Sequence, residues 1–473
     1  RTSDAYARLR FALAACRASV ASAIGSERPR DDLVAMAAAR ASTELERAQA
    51  SLLGAELALR HGDARNALVT WLTVASRTAG AGGTGPHAAS AAELGGATGP
   101  VGGRSGGANG RIGPGATEIA VRAGVRAAAV RIELGEFEAA TIGLDRAEEL
   151  RGGWKGDIEQ TALDAVRTDV AIARGDLREA LVLCQRGLRL AAGLGYMPGV
   201  ADHSQRLGLL CAWLGDVPQA EAAVERARRA RLEAGERGGA AEAAAWLGWL
   251  LVGRGDAATA QLLGQEALVV ARRLNLRDVR SLALAVLLAV ATTRGDVASA
   301  AAVLDEHDSL GAEPRGPFAA AATRWWRTQE EPSRALHAAE RAPAHGYYAI
   351  ETRLELTRVR LGRDDRKTAL ATLDDAQSIA ACSGFRELDL YARVQRSLLD
   401  PPAGPVWAAL FEEASRASWV ELFLWVLALD GHRRSDRGDI AGARQRFLEL
   451  SARATEHGHQ PFRLAAAEAL GGF

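Results

Sequence analysis

Residues 215–220 have the sequence Gly-Asp-Val-Pro-Gln-Ala, and this stretch decides the fold because its pattern recurs along the chain. The pattern is glycine, an acidic residue, three variable residues and alanine. Five copies begin at residues 135, 175, 215, 255 and 295, a step of 40 residues each time, and two more begin at residues 62 and 438. A fixed period in this range predicts stacked helical hairpins.

The stretch has the chemistry of a tight turn between two helices. Apolar residues recur at three- and four-residue steps on both sides of it, which predicts a helix before and a helix after. Glycine is the residue that most easily adopts the left-handed conformation of a helix C-terminus, so Gly215 is predicted to end the first helix. Asp216 is predicted to cap the free N–H groups of the second helix. Each copy therefore predicts one helical hairpin.

The repeat resembles the tetratricopeptide repeat (TPR). Leu207-Gly208 in the first helix, Gly215 at the turn, and Ala220 and Ala227 in the second helix match at the spacing of that family. The resemblance covers nearly the whole chain. It implies an all-α fold, a right-handed superhelical α-solenoid of about ten hairpins with a period of about 40 and then about 35 residues. It further implies a non-catalytic scaffold that binds a protein, a peptide or a small effector on its concave face.

A narrower resemblance concerns the length of the repeats, which exceeds the usual unit of the family. Long repeats of this kind are similar to the TPR region of large ATP-binding LuxR-type bacterial transcription regulators, the maltose-activator type. This resemblance implies the sensor or regulatory region of such a regulator. A free-standing adaptor that joins two proteins is the alternative, and an enzyme whose site has no recognisable motif is a third hypothesis.

The predicted organisation has four parts. They are N-terminal helices with a first repeat (1–78), a glycine-rich disordered loop (79–116), regular 40-residue repeats (117–310) and degenerate repeats (311–473). In the last part the turn glycine is lost, but cap positions continue at Glu331 and Asp365, with Asp400 as a further candidate. Since the chain begins at Arg1 rather than Met, we expect a segment of a longer protein.

Composition restricts the partners. Lys plus Arg and Asp plus Glu number 58 each, so the formal net charge is zero and predicts no general attraction to nucleic acid or to an anionic membrane. No apolar run is long enough to span a bilayer. The cysteines are scattered, and Cys184 and Cys211 occupy apolar helix positions, which predicts buried thiols and a cytoplasmic location.

Motifs that suggest chemistry lack their required context. Residues 80–85 fit the dinucleotide pattern G-x-G-x-x-G, and residues 103–107 fit the nucleophile pattern G-x-S-x-G, but neither follows a predicted strand. His457-Gly458-His459 has no third ligand nearby in sequence, so a surface turn is favoured over a metal site. We therefore predict no catalytic residues, no metal and no cofactor.

Tryptophans on the first helices of several repeats have two interpretations. Packing within the core is one, because large aromatic side chains mostly pack. Lining of the concave groove is the other, and the register of the repeats gives these candidate ligand-binding residues: Asp169, Gln205, Arg206, Trp246, Trp249 and Arg324, with Leu209 and Ala245 beside them. The Lys and Asn pairs with which some TPR domains clamp a terminal carboxylate are missing. A mixed groove of this kind suits a peptide, a helix or a small effector.

Overall fold

The structure is a computed structural model. It describes residues 30–41, 43–60, 64–80, 114–151, 157–311, 316–341 and 346–472. Gly62 and Asp63 of the first repeat copy, the nucleophile-like pattern at 103–107 and nearly all of the dinucleotide-like pattern lie outside these residues. The same is true of the predicted loop 79–116 except for its two ends, which belong to helices.

The described residues form 22 α-helices and no strand. In chain order they are α1 (Arg30–Arg40), α2 (Glu44–Arg60), α3 (Ala64–Gly80), α4 (Pro114–Glu133), α5 (Phe137–Arg151), α6 (Asp157–Arg174), α7 (Leu177–Gly193), α8 (Met197–Trp213), α9 (Val217–Glu233), α10 (Arg237–Gly253), α11 (Ala257–Leu274), α12 (Arg277–Arg294), α13 (Val297–Ser309), α14 (Pro317–Thr328), α15 (Pro332–Glu340), α16 (Tyr347–Gly362), α17 (Arg366–Ser383), α18 (Arg386–Leu399), α19 (Gly404–Ser415), α20 (Val420–Asp436), α21 (Ile440–Glu456) and α22 (Gln460–Gly471). Taken two by two, helices α2 to α21 give ten hairpins. The all-α fold of about ten TPR-like hairpins is therefore confirmed.

The recurring glycine and acidic residue make the turns as predicted. The turn glycines of the described copies all have positive φ, between 64° and 84°: Gly135, Gly175, Gly215, Gly255, Gly295 and Gly438. The carboxylate of Asp216 accepts a hydrogen bond from the backbone N–H of Gln219 at 3.2 Å, and Asp256 caps Thr259 at 3.0 Å. Each copy thus ends one helix and starts the next within two residues.

A second series of left-handed residues ends the second helix of many hairpins, and the sequence analysis did not identify it. Its members are Gly195, Gly235, Asn275, Gly311, Gly384 and Gly458, all with φ between 52° and 77°. Asn275 takes the position of a glycine because asparagine tolerates the left-handed region better than other residues with a side chain. The regular block therefore turns about every 20 residues.

The shorter spacing beyond residue 310 arises from shorter helices. Helices α13, α14 and α15 have 13, 12 and 9 residues, against 17 or 18 in α8 to α12. Asp365 caps α17 through the backbone N–H of Thr368 at 3.2 Å, as predicted. The prediction for Asp400 is wrong. This residue follows the end of α18, and α19 begins only after Ala403, because the consecutive prolines at 401 and 402 delay the next helix.

The contacts divide the chain into two compact units. Unit 1 comprises residues 1–174 and 178–203, and unit 2 comprises residues 175–177 and 204–473. The division falls within α8, where the sequence has no obvious break.

Unit 1 has an apolar core between α4, α5 and α6. Val121, Leu144 and Leu163 are buried in it. Beside this core, Asp164 on α6 is fully buried and forms an ion pair with Arg186 on α7.

Unit 2 has a larger core that runs from α10 to α15 and includes Leu284, Leu288, Phe318 and Trp325. Gly208 shows why the TPR signature requires a glycine there. A Cβ atom at this position would lie 3.0 Å from the carbonyl oxygen of Ala220 and 2.4 Å from the side chain of Val224. The two helices of the hairpin therefore approach closely only because both positions 208 and 220 are small.

A candidate ligand site in unit 2

Aromatic side chains of helices α8, α10 and α16 form one cluster in unit 2. Trp213 stacks on Tyr347, with ring centroids 5.4 Å apart and planes inclined by 16°. Trp246 stacks on Tyr348 at 5.9 Å, and the edge of Trp249 meets the same tyrosine at 6.1 Å. Tyr347 and Tyr348 begin α16 directly after Gly346. The start of α16 therefore packs against the first helices of two much earlier hairpins.

A cavity of about 90 Å³ lies beside this cluster. Its lining comes from the first helix of each hairpin from α8 to α20, from Val217 at the start of α9, from the residues just before α20 and from the turns after α10 and α21. The aromatic lining residues are Trp213, Trp249, Tyr347, Tyr348 and Trp419, and the charged or titratable ones are Arg254, Arg324, Glu351, Glu387, Glu421, His457 and His459. The cavity thus combines aromatic walls with carboxylates and imidazoles.

A buried ion network forms one wall. The guanidinium of Arg324 lies 2.7 Å from Glu351, 3.3 Å from Glu355 and 3.4 Å from Glu421. Arg327 pairs with Glu355 at 2.8 Å and with Glu421 at 3.5 Å. Two guanidinium groups therefore serve three carboxylates. Each charge costs desolvation energy that only its partners offset, so the network ties α14, α16 and α20 into one arrangement.

Helix α18 extends this network. The hydroxyl of Tyr391 donates a hydrogen bond to Glu355 at 2.9 Å and accepts one from Arg358 at 3.1 Å. Burial alone would raise the pKa of Glu355, but the guanidinium groups of Arg327, Arg324 and Arg358 lower it to about 2. Glu355 is therefore ionised at neutral pH.

Two carboxyl groups of the cavity have a raised pKa instead of a lowered one. Burial raises the pKa of Glu351 to about 7, although Arg324 opposes the shift. Burial also raises the pKa of Glu387 to about 7, although a hydrogen bond from the backbone N–H of Ser418 opposes it. These two carboxylates have too little positive charge around them to stay fully ionised at pH 7.

The turn that contains His457, Gly458 and His459 forms another side of the cavity. Gly458 has φ of 64°, so a turn is present as predicted. The prediction that it lies at the surface is wrong for His459, which is only 7% exposed. A Cβ atom at Gly255 would lie 2.5 Å from Nδ1 of His457, so this turn packs against the turn between α10 and α11. Burial lowers the pKa of His459, which keeps its imidazole neutral at pH 7.

The structure is similar to that of a Rap protein complexed with Competence and Sporulation Factor. The TM-score is 0.54 at 13% identity, over 73% of this chain and 99% of that one. The chain has a TPR-like helical repeat fold. Two weaker matches are a STAND signal-transduction ATPase with a tetratricopeptide repeat sensor from Pyrococcus horikoshii (TM-score 0.39, 12% identity, 77% of this chain and 46% of that one) and BtubC from P. vanneervenii (TM-score 0.38, 20% identity, 42% and 82%). No protein-family model and no curated protein matches the sequence.

Of the six candidate residues from the TPR register, the cavity brings together two. Trp249 and Arg324 line it, and Trp246 packs against Tyr348 beside it. Gln205 and Arg206 are half-buried on α8 outside the lining, and Gln205 donates a hydrogen bond to Glu242 at 2.8 Å. Asp169 lies on α6 in unit 1. Of the two flanking positions, Leu209 lines the cavity and Ala245 is fully buried core.

The structure places the tryptophans in different surroundings. Trp325 is buried in the core of unit 2, and Trp246 packs partly buried against that core. Trp249 is partly buried in the same way and also lines the cavity. The register of the repeats alone does not separate these roles, because the same helix face contributes to both.

The sequence analysis missed most of the lining, above all Tyr347, Tyr348, Glu351, Glu387 and Trp419. These residues stand in the degenerate repeats, where no register connects them with α8 or α10. One local signal existed, namely two adjacent tyrosines at the start of a first helix. The pair resembles the adjacent tryptophans 325 and 326.

The residues that the structure describes contain neither a metal-ligating cluster nor a helix suited to span a membrane. No three His, Cys, Asp or Glu side chains there are grouped so as to hold a metal ion. None of the described helices combines the length and the apolar character that a bilayer span requires. Cys184 and Cys211 are buried, as predicted.

Proposed function

We propose that this chain is a non-catalytic TPR-type scaffold that binds a peptide, a protein segment or a small effector in unit 2, as the sensor or regulatory region of a bacterial transcription regulator. The cavity is the observation that carries this proposal. Aromatic walls with a few convergent polar groups are typical of ligand sites. The Rap protein that shares the fold was solved in complex with a factor, and this supports a binding role.

The mechanism follows from how the cavity is assembled. Its lining comes from seven first helices, α8, α10, α12, α14, α16, α18 and α20. A ligand that touches several of them at once stabilises one mutual arrangement of the hairpins over others. It therefore shifts the population of conformations, and a domain attached to the chain can respond to that shift.

Binding can be tested with the tryptophans of the cavity as reporters. Trp213, Trp249 and Trp419 line it, so an occupant should change the intrinsic fluorescence and raise the melting temperature of the protein. We would screen short peptides and small effectors with the wild type, Trp249→Ala and Arg206→Ala. Binding that is lost only in Trp249→Ala supports the cavity as the site. Equal loss in both variants, or loss only in Arg206→Ala, contradicts it.

A free-standing adaptor is the second candidate function, and one observation favours it. Ile142 on α5 and Val182 on α7 stand seven residues after their turn glycines and are 70% and 64% exposed. Large apolar side chains at the same exposed position of successive repeats are suited to contact another protein. An adaptor would lose its partner on Ile142→Ser with Val182→Ser, whereas a sensor that acts through the cavity would keep its ligand.

A further inference from the structure

The cavity in unit 2 has carboxylate oxygens that the protein itself leaves without a donor. Glu351 is 4% exposed, and its Oε1 accepts from Arg324, but its Oε2 has no hydrogen-bond partner. Arg324 cannot supply a further bond easily, because Glu355 and Glu421 share it. A buried oxygen without a donor is costly, so this one favours an occupant that donates a hydrogen bond.

Glu387 and His459 add two more acceptors to the same space. Within the described part of the chain, Glu387 accepts a hydrogen bond from the backbone N–H of Ser418 and forms no ion pair. Nδ1 of His459 is buried without a partner. Because His459 is neutral at pH 7, its ring has one nitrogen available as an acceptor. The lining thus has three groups that can accept a hydrogen bond from a ligand.

The arginine side chains of the lining are paired with other carboxylates and do not neutralise these acceptors. Arg254 directs its guanidinium to Glu221 at 2.6 Å, and Arg324 is held by three carboxylates and lies 5.3 Å from the ring of Trp419. An anionic ligand would therefore meet Glu351 and Glu387 without a free cation. A site that clamps a ligand carboxylate has an excess of positive charge, whereas this cavity has an excess of negative charge.

The aromatic walls favour the same kind of ligand. Trp213 and Tyr347 present stacked rings, and Trp249 meets Tyr348 edge to face. Aromatic side chains provide apolar surface that can bury the carbon atoms of an alkyl chain, and they also attract a neighbouring positive charge. The cavity of about 90 Å³ has room for roughly six to nine water-sized positions, which suits a short alkyl chain with a head group rather than a folded segment.

We propose that this cavity binds an alkylammonium group, with its positive charge between the carboxylates of Glu351 and Glu387 and its alkyl part against the rings of Trp213, Trp249 and Tyr347. A primary ammonium has three N–H donors, which matches the acceptors on Glu351, Glu387 and His459. The inference rests on the proposed function and deepens it by naming the chemistry of the ligand. A free amine and the lysine side chain of a peptide share this chemistry.

Calorimetric titration of the purified full chain tests the charge of the ligand. The probes are 1-aminobutane, 1,4-diaminobutane, 1-butanol and butyrate, which differ in the head group but have the same number of carbon atoms. A second arm uses the N-acetylated tripeptide Gly-Lys-Gly amide against the same blocked peptide with norleucine, so that the lysine side chain is the only ammonium group. Binding of the amines identifies a free amine as a sufficient ligand. Binding of the lysine peptide without binding of the amines identifies a peptide side chain.

Three variants test the residues. Glu387→Gln keeps an acceptor for Ser418 and removes only the charge, so it should fold normally and weaken the amine or lysine peptide about tenfold or more. Glu351→Gln should have the same effect, although it also perturbs the pair with Arg324. Glu242→Gln on α10 is the matched control, because Glu242 lies outside the lining, and its Kd should stay within about twofold of the wild type.

The outcomes separate this inference from the proposed function. Butyrate binding as tightly as the amine, or an unchanged Kd in Glu387→Gln, overturns the inference. The absence of heat with both amines and with the lysine peptide also overturns it. If another peptide or effector still binds in a manner that depends on Trp249, the proposed function survives while the ammonium site does not.

Discussion

Trp213 near the end of α8 stacks on Tyr347 at the start of α16, with 5.4 Å between the ring centroids. Phe385 completes this contact, at 6.0 Å from Trp213 and 5.3 Å from Tyr347, both edge to face. Three hairpins of unit 2 that are distant in sequence therefore share one aromatic cluster. This contact brings the cavity-lining residues of the regular repeats next to those of the degenerate repeats.

Removal of the indole in Trp213→Ala should destabilise unit 2 by about 3–5 kcal/mol, because the side chain is 8% exposed and leaves a large void. Tyr347→Phe keeps both rings stacked and should cost less than about 1.5 kcal/mol. Urea unfolding followed by circular dichroism measures both changes. A cost below about 1 kcal/mol for Trp213→Ala would show that the cluster does not hold these hairpins together.

The left-handed turn residues make a matched pair for testing backbone strain. Gly384 has φ of 77°, and nothing lies within 4 Å of an added Cβ, so Gly384→Ala should destabilise by roughly 1 kcal/mol through the backbone alone. Asn275→Gly places glycine at the equivalent left-handed cap and should change stability by less than about 0.5 kcal/mol. Thermal unfolding measures both. Equal effects of the two changes would contradict the assignment of both residues as left-handed caps.

Loss of the charge on Glu355 should destabilise the protein, because it leaves buried guanidinium groups of the ion network without a full set of partners. Glu355→Gln leaves Arg324 and Arg327 with fewer partners and should cost about 3–5 kcal/mol at pH 7. The pKa of Glu355 is lowered from 4.5 to about 2, so its stabilising contribution is complete above pH 4.5 and disappears as the pH falls through 2. The difference in unfolding free energy between the wild type and Glu355→Gln should therefore become smaller as the pH is lowered.

Glu456→Gln is the control for this comparison. Glu456 pairs with Arg453 on the exposed surface of α21, so its loss should cost no more than about 0.5 kcal/mol at any pH. Urea midpoints at several pH values between neutral and acid would decide the matter. A deficit for Glu355→Gln that stays constant down to the acid range would contradict the lowered pKa.

Glu387 should have the opposite pH dependence. Its pKa is raised from 4.5 to about 7, so the folded state retains a proton that the unfolded state releases, and stability falls as the pH rises from 4.5 to 7. Glu387→Gln removes this penalty and should stabilise the protein at pH 8, by roughly 3 kcal/mol at most, with no gain at pH 4.

In Glu387→Gln, part of the fall in stability with rising pH should remain, because Glu351 faces the same cavity and its pKa is also raised to about 7. Arg324, Glu421, His457 and His459 also face the cavity. The pKa of Arg324 is raised well above its usual value, and the guanidinium groups of Arg324 and Arg327 lower the pKa of Glu421 although burial opposes this, so both groups stay charged near neutral pH. Melting temperatures of the wild type and the variant across this range measure the difference. A variant that is less stable than the wild type at pH 8 would show that the charge of Glu387 is well solvated.

Local sequence was sufficient to place most turns. Gly215 and Asp216 act within one hairpin, since the glycine relieves backbone strain and the carboxylate accepts a hydrogen bond from the backbone N–H of Gln219. The same logic located Asp365 where the glycine was lost. It failed at Asp400, where prolines separate the acidic residue from the next helix. The second series of turns has no constant acidic partner. Of its members only Gly235 is followed by an acidic residue, Glu236, and Ala240 then completes the pattern of the first series.

The candidate site was less accessible from sequence. Trp249 and Arg324 were found because first helices of TPR-like hairpins share a register. The partners of these two residues come from repeats with other spacings, so no pattern relates Glu351 or Glu387 to them.

The sequence alone determined the helices, their caps and the repetition of the hairpin, because these depend on contacts between residues close in the chain. The tertiary structure decided which side chains of unit 2 meet. Trp213 stacks on Tyr347, and carboxylates of α16 and α20 share Arg324. Both contacts depend on the total rotation between the hairpins that carry these residues. This rotation is the sum of small rotations between successive hairpins, and the packing of each hairpin on the next sets it, so no single stretch of sequence encodes it.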